Sequence, residues 1–316
     1  MATTTARPVP AAPLDFDRRR ADGRGWADSA RAFSTAAKLG WQMEANWTDP
    51  LLFFIYSVAK PIASALILVF MLLVIAGPGA EEARAFVVVG SALWAFVMSG
   101  MAGLAWSVLD DRERYRMLKY IYVSPSDFKV VLMGRGVARI AIGAMGALIV
   151  LVVGVLYLGV PFAFDAVDWP FLAIVLVVGL TAIVAVGIVL AAICLQTRQE
   201  SWSYPEAVAG AMFLVVAAVF PLLVLPMPIQ AIGLFVPLTW WLEGVRQAAF
   251  VGSPSGIGGP GSLWTSLTGT NQPDHGTIVV ALLATTLVVT LVAWVVFRWS
   301  EARAKDRGLI DQTTGS

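Results

Sequence analysis

The sequence predicts an all-α integral membrane fold: six transmembrane helices, an N-terminal interfacial amphipathic helix, and re-entrant external helices between the fifth and sixth spans. Three observations carry this. Hydrophobic residues make up 58% of the 316 residues and charged residues only 14%, against about 45–50% and about 25% in soluble domains. Six apolar runs are long enough to cross about 30 Å of hydrocarbon, at 55–76, 85–108, 134–158, 170–195, 207–225 and 277–297. The basic residues are segregated: all 22 except Lys60, Arg84 and Arg246 fall in segments on one side of these runs. That bias, with an even number of spans, places both termini in the cytoplasm of a multi-pass cell-membrane protein. Spanning segments must satisfy their backbone internally, so these runs read as helices. They lack the alternation and the ten-residue length of barrel strands.

Taken in chain order, residues 1–28 form a tail rich in Ala, Pro, Thr, Arg and Asp, expected to be disordered and cytoplasmic. Residues 29–50 form the interfacial helix. Phe33, Ala36, Ala37, Leu39, Gly40, Trp41, Met43 and Trp47 share one broad face at helical spacing, as in a helix lying among lipid headgroups. A cytoplasmic helix packed on another subunit would show the same pattern. Glu44 points into the apolar face, where a carboxylate needs a partner or a wet cavity; Lys60 and Arg135 are the candidates. Asn46-Trp47-Thr48 matches a glycosylation pattern, but it lies on the inner side. The transmembrane domain covers 51–300, and 301–316 form a cytoplasmic C-terminal tail. Trp94, Trp106, Trp169, Trp202, Trp294 and Trp299 fall near expected span ends, where amphipathic rings concentrate.

The link between the second and third spans, Asp110 to Arg135, carries the most chemistry. Asp110 and Asp111 suit the start of a new helix. Tyr115, Leu118, Lys119 and Tyr122 recur at three-to-four spacing, and Ser124-Pro125 stops the helix. Ser126-Asp127 offers the next cap. A short charged helix with Met117, Leu118, Ile121 and Tyr122 on its apolar side has the composition of a handle for a cytoplasmic partner. It equally fits an ordinary solvated loop with positive-inside charge. The last external link is too interrupted by Pro226, Pro228 and Pro237 to be a standard span. It reads as short helices dipping into the outer leaflet, which must be buried or line a cavity. Glu243 and Arg246 are three apart and suited to a local ion pair. His275 is expected to be solvated.

Several function classes are excluded or weakened. Cys194 and His275 are the only cysteine and histidine, so neither a disulfide within the chain nor a zinc site of several Cys and His ligands is possible. No GxxxxGK[ST] occurs, and no soluble segment is long enough for a nucleotide-binding fold. Spans almost free of charge argue against a proton-coupled carrier and favour an apolar or amphipathic cargo. Glu81, Glu82 and Arg84 resemble the acidic motifs of membrane proteases only loosely. An intramembrane enzyme and a non-transporting scaffold or assembly factor stand as the alternative readings.

Glu113-Arg114, Leu118 and Ser124-Pro125 resemble the coupling region of ABC-2 type export permeases, and Tyr115 and Tyr122 lie in the same segment. Tyr115-Arg116 stand where that family commonly has Gly-Thr. Phe235 to Gly252, with Pro237, Leu238, Glu243 and Arg246, is similar to the family's stretch before its last span. The helix bearing Phe33, Trp41, Glu44 and Trp47 and the six-span layout fit as well. The resemblance covers roughly residues 30–300. It implies a membrane-spanning permease subunit of an ATP-driven exporter, with no catalysis and no cofactor of its own. ATP and Mg²⁺ would be bound by a separate ABC ATP-binding subunit docked at Glu113–Pro125. A second permease copy, identical or related, and membrane lipids complete the expected partners; nucleic acid is not among them. The expected cargo is a drug or lipid-linked molecule leaving the cytoplasm or inner leaflet, with a polysaccharide still open.

Overall fold

The computed structural model describes residues 26–45, 49–77, 81–124, 126–197, 202–250 and 252–308, and all regular structure among them is helical. In order these are α1 (Trp26–Ala45), α2 (Pro50–Ala76), α3 (Glu81–Leu109), α4 (Leu118–Val123), α5 (Phe128–Tyr157), α6 (Trp169–Gln196), α7 (Ser203–Val215), α8 (Met227–Phe235), α9 (Pro237–Ala249), α10 (Leu263–Thr268) and α11 (His275–Asp306). Among the described residues, four apolar segments are long enough to cross a membrane: Glu82–Arg114, Phe128–Tyr157, Trp169–Gln196 and His275–Asp306. At 1.5 Å per residue, the 30 residues of α5 extend about 45 Å. Within α2, Ala59–Ile75 forms a shorter apolar helix.

The helix starts follow local chemistry. Asp49, Asp127, Asp168 and Asp274 each stand at an N-cap, and their side chains accept from Leu51, Lys129, Phe171 and Thr277 backbone N–H groups. Pro50 and Pro170 follow two of these caps, where a missing N–H costs nothing. Pro61 lies inside α2, removing one rung of its hydrogen-bond ladder.

The central element is α3. Val88, Ala92, Val97, Met101, Leu104, Ala105 and Leu109 are fully buried along its length, against α5, α6, α2 and α7. A second layer packs α11 and α9 on α6. Small residues set these distances, as expected where lipid supplies no hydrophobic drive between helices. A Cβ on Gly179 of α6 would fall 1.7 Å from Trp241 Cδ1 of α9, so the indole lies directly on the α6 backbone. By contrast α11 keeps Val280, Leu287, Leu291 and Val295 exposed along its outer face, the surface that faces lipid in a membrane protein.

Four expectations need correction. The fifth apolar run, 207–225, is not one helix: α7 ends at Val215 and a 3₁₀ turn follows at Leu222–Val224. Asp110 and Asp111 do not start a helix. The α3 helix runs on through them as a π-turn, Asp110–Arg114, in which Tyr115 N–H bonds to Asp110 C=O at 2.8 Å. Trp94 lies in the body of α3, not at its end. The first helix starts at Trp26, slightly earlier than expected. Trp47, Asn46 and Pro125 lie outside the described residues.

Candidate functional site

At the basic end of the bundle, charged side chains are buried and bound to one another. Asp110, Asp111 and Arg112 of the π-turn are buried, as is Arg135 on α5. Asp111 pairs with Arg135. Arg139 Nη2 lies 2.9 Å from Asp110 Oδ2 and 2.6 Å from Glu44 Oε1. Arg112 donates to the Cys194 carbonyl of α6 at 2.9 Å and to Glu113 at 2.7 Å. Glu113 in turn accepts from the Trp202 indole at 3.0 Å. One network thus joins α1, the π-turn, α5, α6 and the start of α7. A carboxylate in this setting demands such partners, since an unpaired buried charge is far costlier than a paired one. Glu44 finds a basic residue as expected, but it is Arg139, not Lys60 or Arg135.

The α1 helix divides its apolar face. Ala36 and Gly40 are buried against α5. A Cβ on Gly134 would fall 2.6 Å from the Phe33 carbonyl oxygen, and one on Gly40 would fall 3.2 Å from Arg135 Cα, so the two backbones touch. Phe33, Leu39 and Trp41 remain exposed beside that seam.

The short α4 helix has the opposite orientation to the one its pattern suggested. Leu118 is buried among Leu104, Val108, Phe128, Leu132, Leu195 and Phe297. Tyr122 stacks on Phe128 at 4.8 Å, and Phe128 on Phe297 at 6.1 Å. Burial pushes the Tyr122 phenol above its ordinary range. These residues anchor α4 to the bundle and leave Arg116, Lys119, Tyr120 and Val123 facing outward. Ser124 closes the helix, its hydroxyl donating to the Ile121 carbonyl at 2.7 Å. Arg114 is exposed and lies over the Tyr115 ring at 5.7 Å. Arg116 adopts φ 51, at the place where Tyr115-Arg116 depart from Gly-Thr. Between α1 and α4 runs a cleft of about 680 Å³, lined by Arg31, Thr35, Leu39, Met117, Tyr120 and Asp127 among others.

A larger cavity lies along the bundle. About 940 Å³ opens between α2, α3, α5 and α7, walled by Leu68, Trp94, Met98, Trp106 and Phe213 and carrying Glu44, Lys60 and Glu206. Trp94 and Phe213 lie 5.2 Å apart. A second space of about 440 Å³, toward the basic end, shares Glu44, Trp106 and Glu206 with it. The two spaces adjoin at those residues, forming a groove with a charged mouth beside an apolar body.

At the other end, α9 is buried along almost its whole length. Pro237 forms its first turn. Glu243 and Arg246 do not pair directly. The Glu243 carboxylate accepts from Gln247 (2.8 Å), Ser255 Oγ (2.6 Å) and Gly256 N–H (2.7 Å). Arg246 donates to the Ala217 and Ala218 carbonyls at 2.8 and 2.7 Å, and its guanidinium lies 3.7 Å over the Phe86 ring. Ala217 has φ 57. A Cβ on Gly90 would fall 1.6 Å from the Ala218 oxygen. The arginine therefore collects the carbonyls freed where α7 breaks, and Gly90 makes room for the joint. His275 is not merely solvated: it stacks on Phe171 at 3.9 Å and approaches Asp168 at 3.5 Å.

Long apolar helices around a lateral groove define an integral membrane protein of the multi-pass helical class. The model of the ABC-2 type transporter family matches residues 34–250, and the chain belongs to that family. It is therefore a transport permease domain and not itself a catalyst, and membership implies an ABC ATPase as partner in general. Among curated proteins, none matches the chain.

Proposed function

We propose that this chain is the membrane subunit of an ATP-driven exporter that moves an apolar or amphipathic molecule, a drug or lipid-linked compound, out of the cytoplasm or inner leaflet. The observation that carries the reading is the groove along α3, with its aromatic walls and charged mouth. A site for an amphipath needs apolar area for a tail and a few polar groups for a head. Six crossings are reached when α2 and the broken segment from Ser203 to Val224 are added to the four long helices. In that arrangement α8 and α9 form the re-entrant pair, and both termini are cytoplasmic.

Energy would enter through the basic end. An ABC ATP-binding subunit holding ATP and Mg²⁺ would dock on the outward face of α4, at Arg116, Lys119, Tyr120 and Val123, and in the cleft beside α1. Leu118 and Tyr122 would pass its motion to α3, α5 and α11, into which they are packed. A second permease copy, identical or related, would cover the open side of the groove.

The test has two arms. Ala95→Trp should fill the groove and abolish export from reconstituted vesicles while leaving co-purification with the ATPase intact. Lys119→Glu with Tyr120→Asp should release the ATPase and leave the purified permease monodisperse. Export that survives Ala95→Trp would refute the groove as the route.

A further inference from the structure

The groove carries two charges that the ionic network at its mouth does not absorb. Glu44 is satisfied by Arg139. Lys60 lies on the α2 wall and Glu206 on the α7 wall, and both are exposed to the cavity that they line. Neither forms an ion pair with any described residue. Lys60 stands ten residues beyond Pro50, about 15 Å along α2. A basic residue at the start of an apolar helical segment and facing a cavity marks function unless it serves structure, and no ion pair or hydrogen bond to a described residue gives Lys60 a structural role. The face between these walls is Trp94, Met98 and Trp106 of α3, with Phe213 opposite. Aromatic faces attract quaternary and other soft cations.

Resting on the groove being the substrate site, we propose that it recognises an amphipath whose head group is zwitterionic. The anionic group would meet Lys60, the cationic group would meet Glu206 and the indoles, and the tail would run along Leu68, Met98 and Phe213. A purely cationic amphipath would then face Lys60 uncompensated, and a purely anionic one would face Glu206. Each wall thus rejects one class of single-charge head group as well as attracting its complement.

The probes are single-chain amphipaths of equal tail length. A lysophosphatidylcholine is the zwitterion, an alkyltrimethylammonium the cation and a lysophosphatidylglycerol the anion, with tail-less glycerophosphocholine as a fourth ligand. Affinities are ranked by native mass spectrometry on the full-length chain released from dodecyl maltoside, using only monodisperse variants. The wild type should prefer the zwitterion by tenfold or more over either singly charged amphipath. Lys60→Gln should erase the advantage over the cation alone, and Glu206→Gln the advantage over the anion alone. No head-group preference in the wild type, or equal weakening of all three amphipaths by each variant, would overturn the proposal while leaving the groove reading intact. Equally tight glycerophosphocholine would overturn the amphipath and assign the site to a soluble zwitterion. If no amphipath binds, or if Ala95→Trp binds all of them as the wild type does, the groove reading itself fails and takes this inference with it.

Discussion

The two ends of the bundle both bury charge, but they discharge it differently. At the basic end, arginines meet carboxylates from other elements: Asp111 with Arg135, and Arg139 shared between Asp110 and Glu44. At the far end, Arg246 and Glu243 bind mostly neutral groups, chiefly backbone, with no direct ion pair between them. A shared arginine has two partners and keeps one when the other moves away. An arginine on two consecutive carbonyls has no second arrangement, because Gly90 and Phe86 enclose it. The first pattern suits a region that changes registry, and the second suits a pivot. The proposed transport cycle would therefore concentrate movement near the π-turn and hold the joint between α7 and α9 fixed.

That contrast predicts unequal responses to mutation. The largest effect should come from Arg246→Met. It strands the Ala217 and Ala218 carbonyls in a dry interior, each costing about 1–3 kcal/mol, for a total of roughly 2–6 kcal/mol. Thermal unfolding in detergent should show a large fall in Tm or loss of monodisperse protein. Arg246→Lys should recover little, since one ammonium does not reproduce the planar fork. A Tm within a degree or two of wild type for Arg246→Met would show that the joint is not a pivot.

The Asp111–Arg135 pair should behave differently in single and double variants. Asp111→Leu alone leaves Arg135 buried without its partner and should cost about 3–5 kcal/mol. Asp111→Leu with Arg135→Met should recover most of that, because well-packed apolar groups replace buried ion pairs at little or no cost. No such double replacement should exist for Arg246, whose partners are backbone. A double-mutant cycle on Tm separates the two cases, and strict additivity at Asp111 and Arg135 would contradict the paired reading.

Glu44→Gln should be milder. Its side chain is 29% exposed and Arg139 keeps Asp110, so about 1 kcal/mol is expected. The informative readout is hydrogen exchange in α1, which should rise while α5 stays protected. Equal rises in both helices would show that the two ends of this bond unfold as one.

How much of this could be read from residues alone divides along the same line. Five of the apolar runs fall, to within a residue, inside single helices, α2, α3, α5, α6 and α11, because length and apolarity are properties of the run itself. The break in the fifth run was hidden. The sequence stays apolar through Val216 to Phe220, and the groups that stabilise the break are an arginine 28 residues further on and a glycine in α3. Asp110 and Asp111 looked like caps because capping is local, whereas their partners lie 29 and 24 residues away. Of the two partners the sequence offers Glu44, Lys60 lies on α2, the wrong helix, and Arg135 lies on α5 one turn from the actual partner, Arg139. The spacing of Leu118 and Tyr122 exposed an apolar face, but periodicity does not say whether that face meets a partner or the chain's own core. The groove was not legible either, since Lys60, Trp94, Glu206 and Phe213 come from three helices.

The smallest expected effect lies at the departure from the family's Gly-Thr. Arg116 holds φ 51, a left-handed conformation that costs an ordinary residue about 1–2 kcal/mol and glycine little. Its side chain faces outward, so Arg116→Gly should relieve this strain without opening a cavity in the bundle. The gain is offset by the larger freedom of glycine in the unfolded chain, leaving a net stabilisation of about 0.5–1 kcal/mol. A rise of a few degrees in Tm checks this. If the outward face of α4 also receives the ATPase, the same variant should weaken co-purification through loss of the guanidinium. Stability and docking would then move in opposite directions, which separates a residue kept for its contact from one kept for its turn. A fall in both would place Arg116 within the bundle's own support.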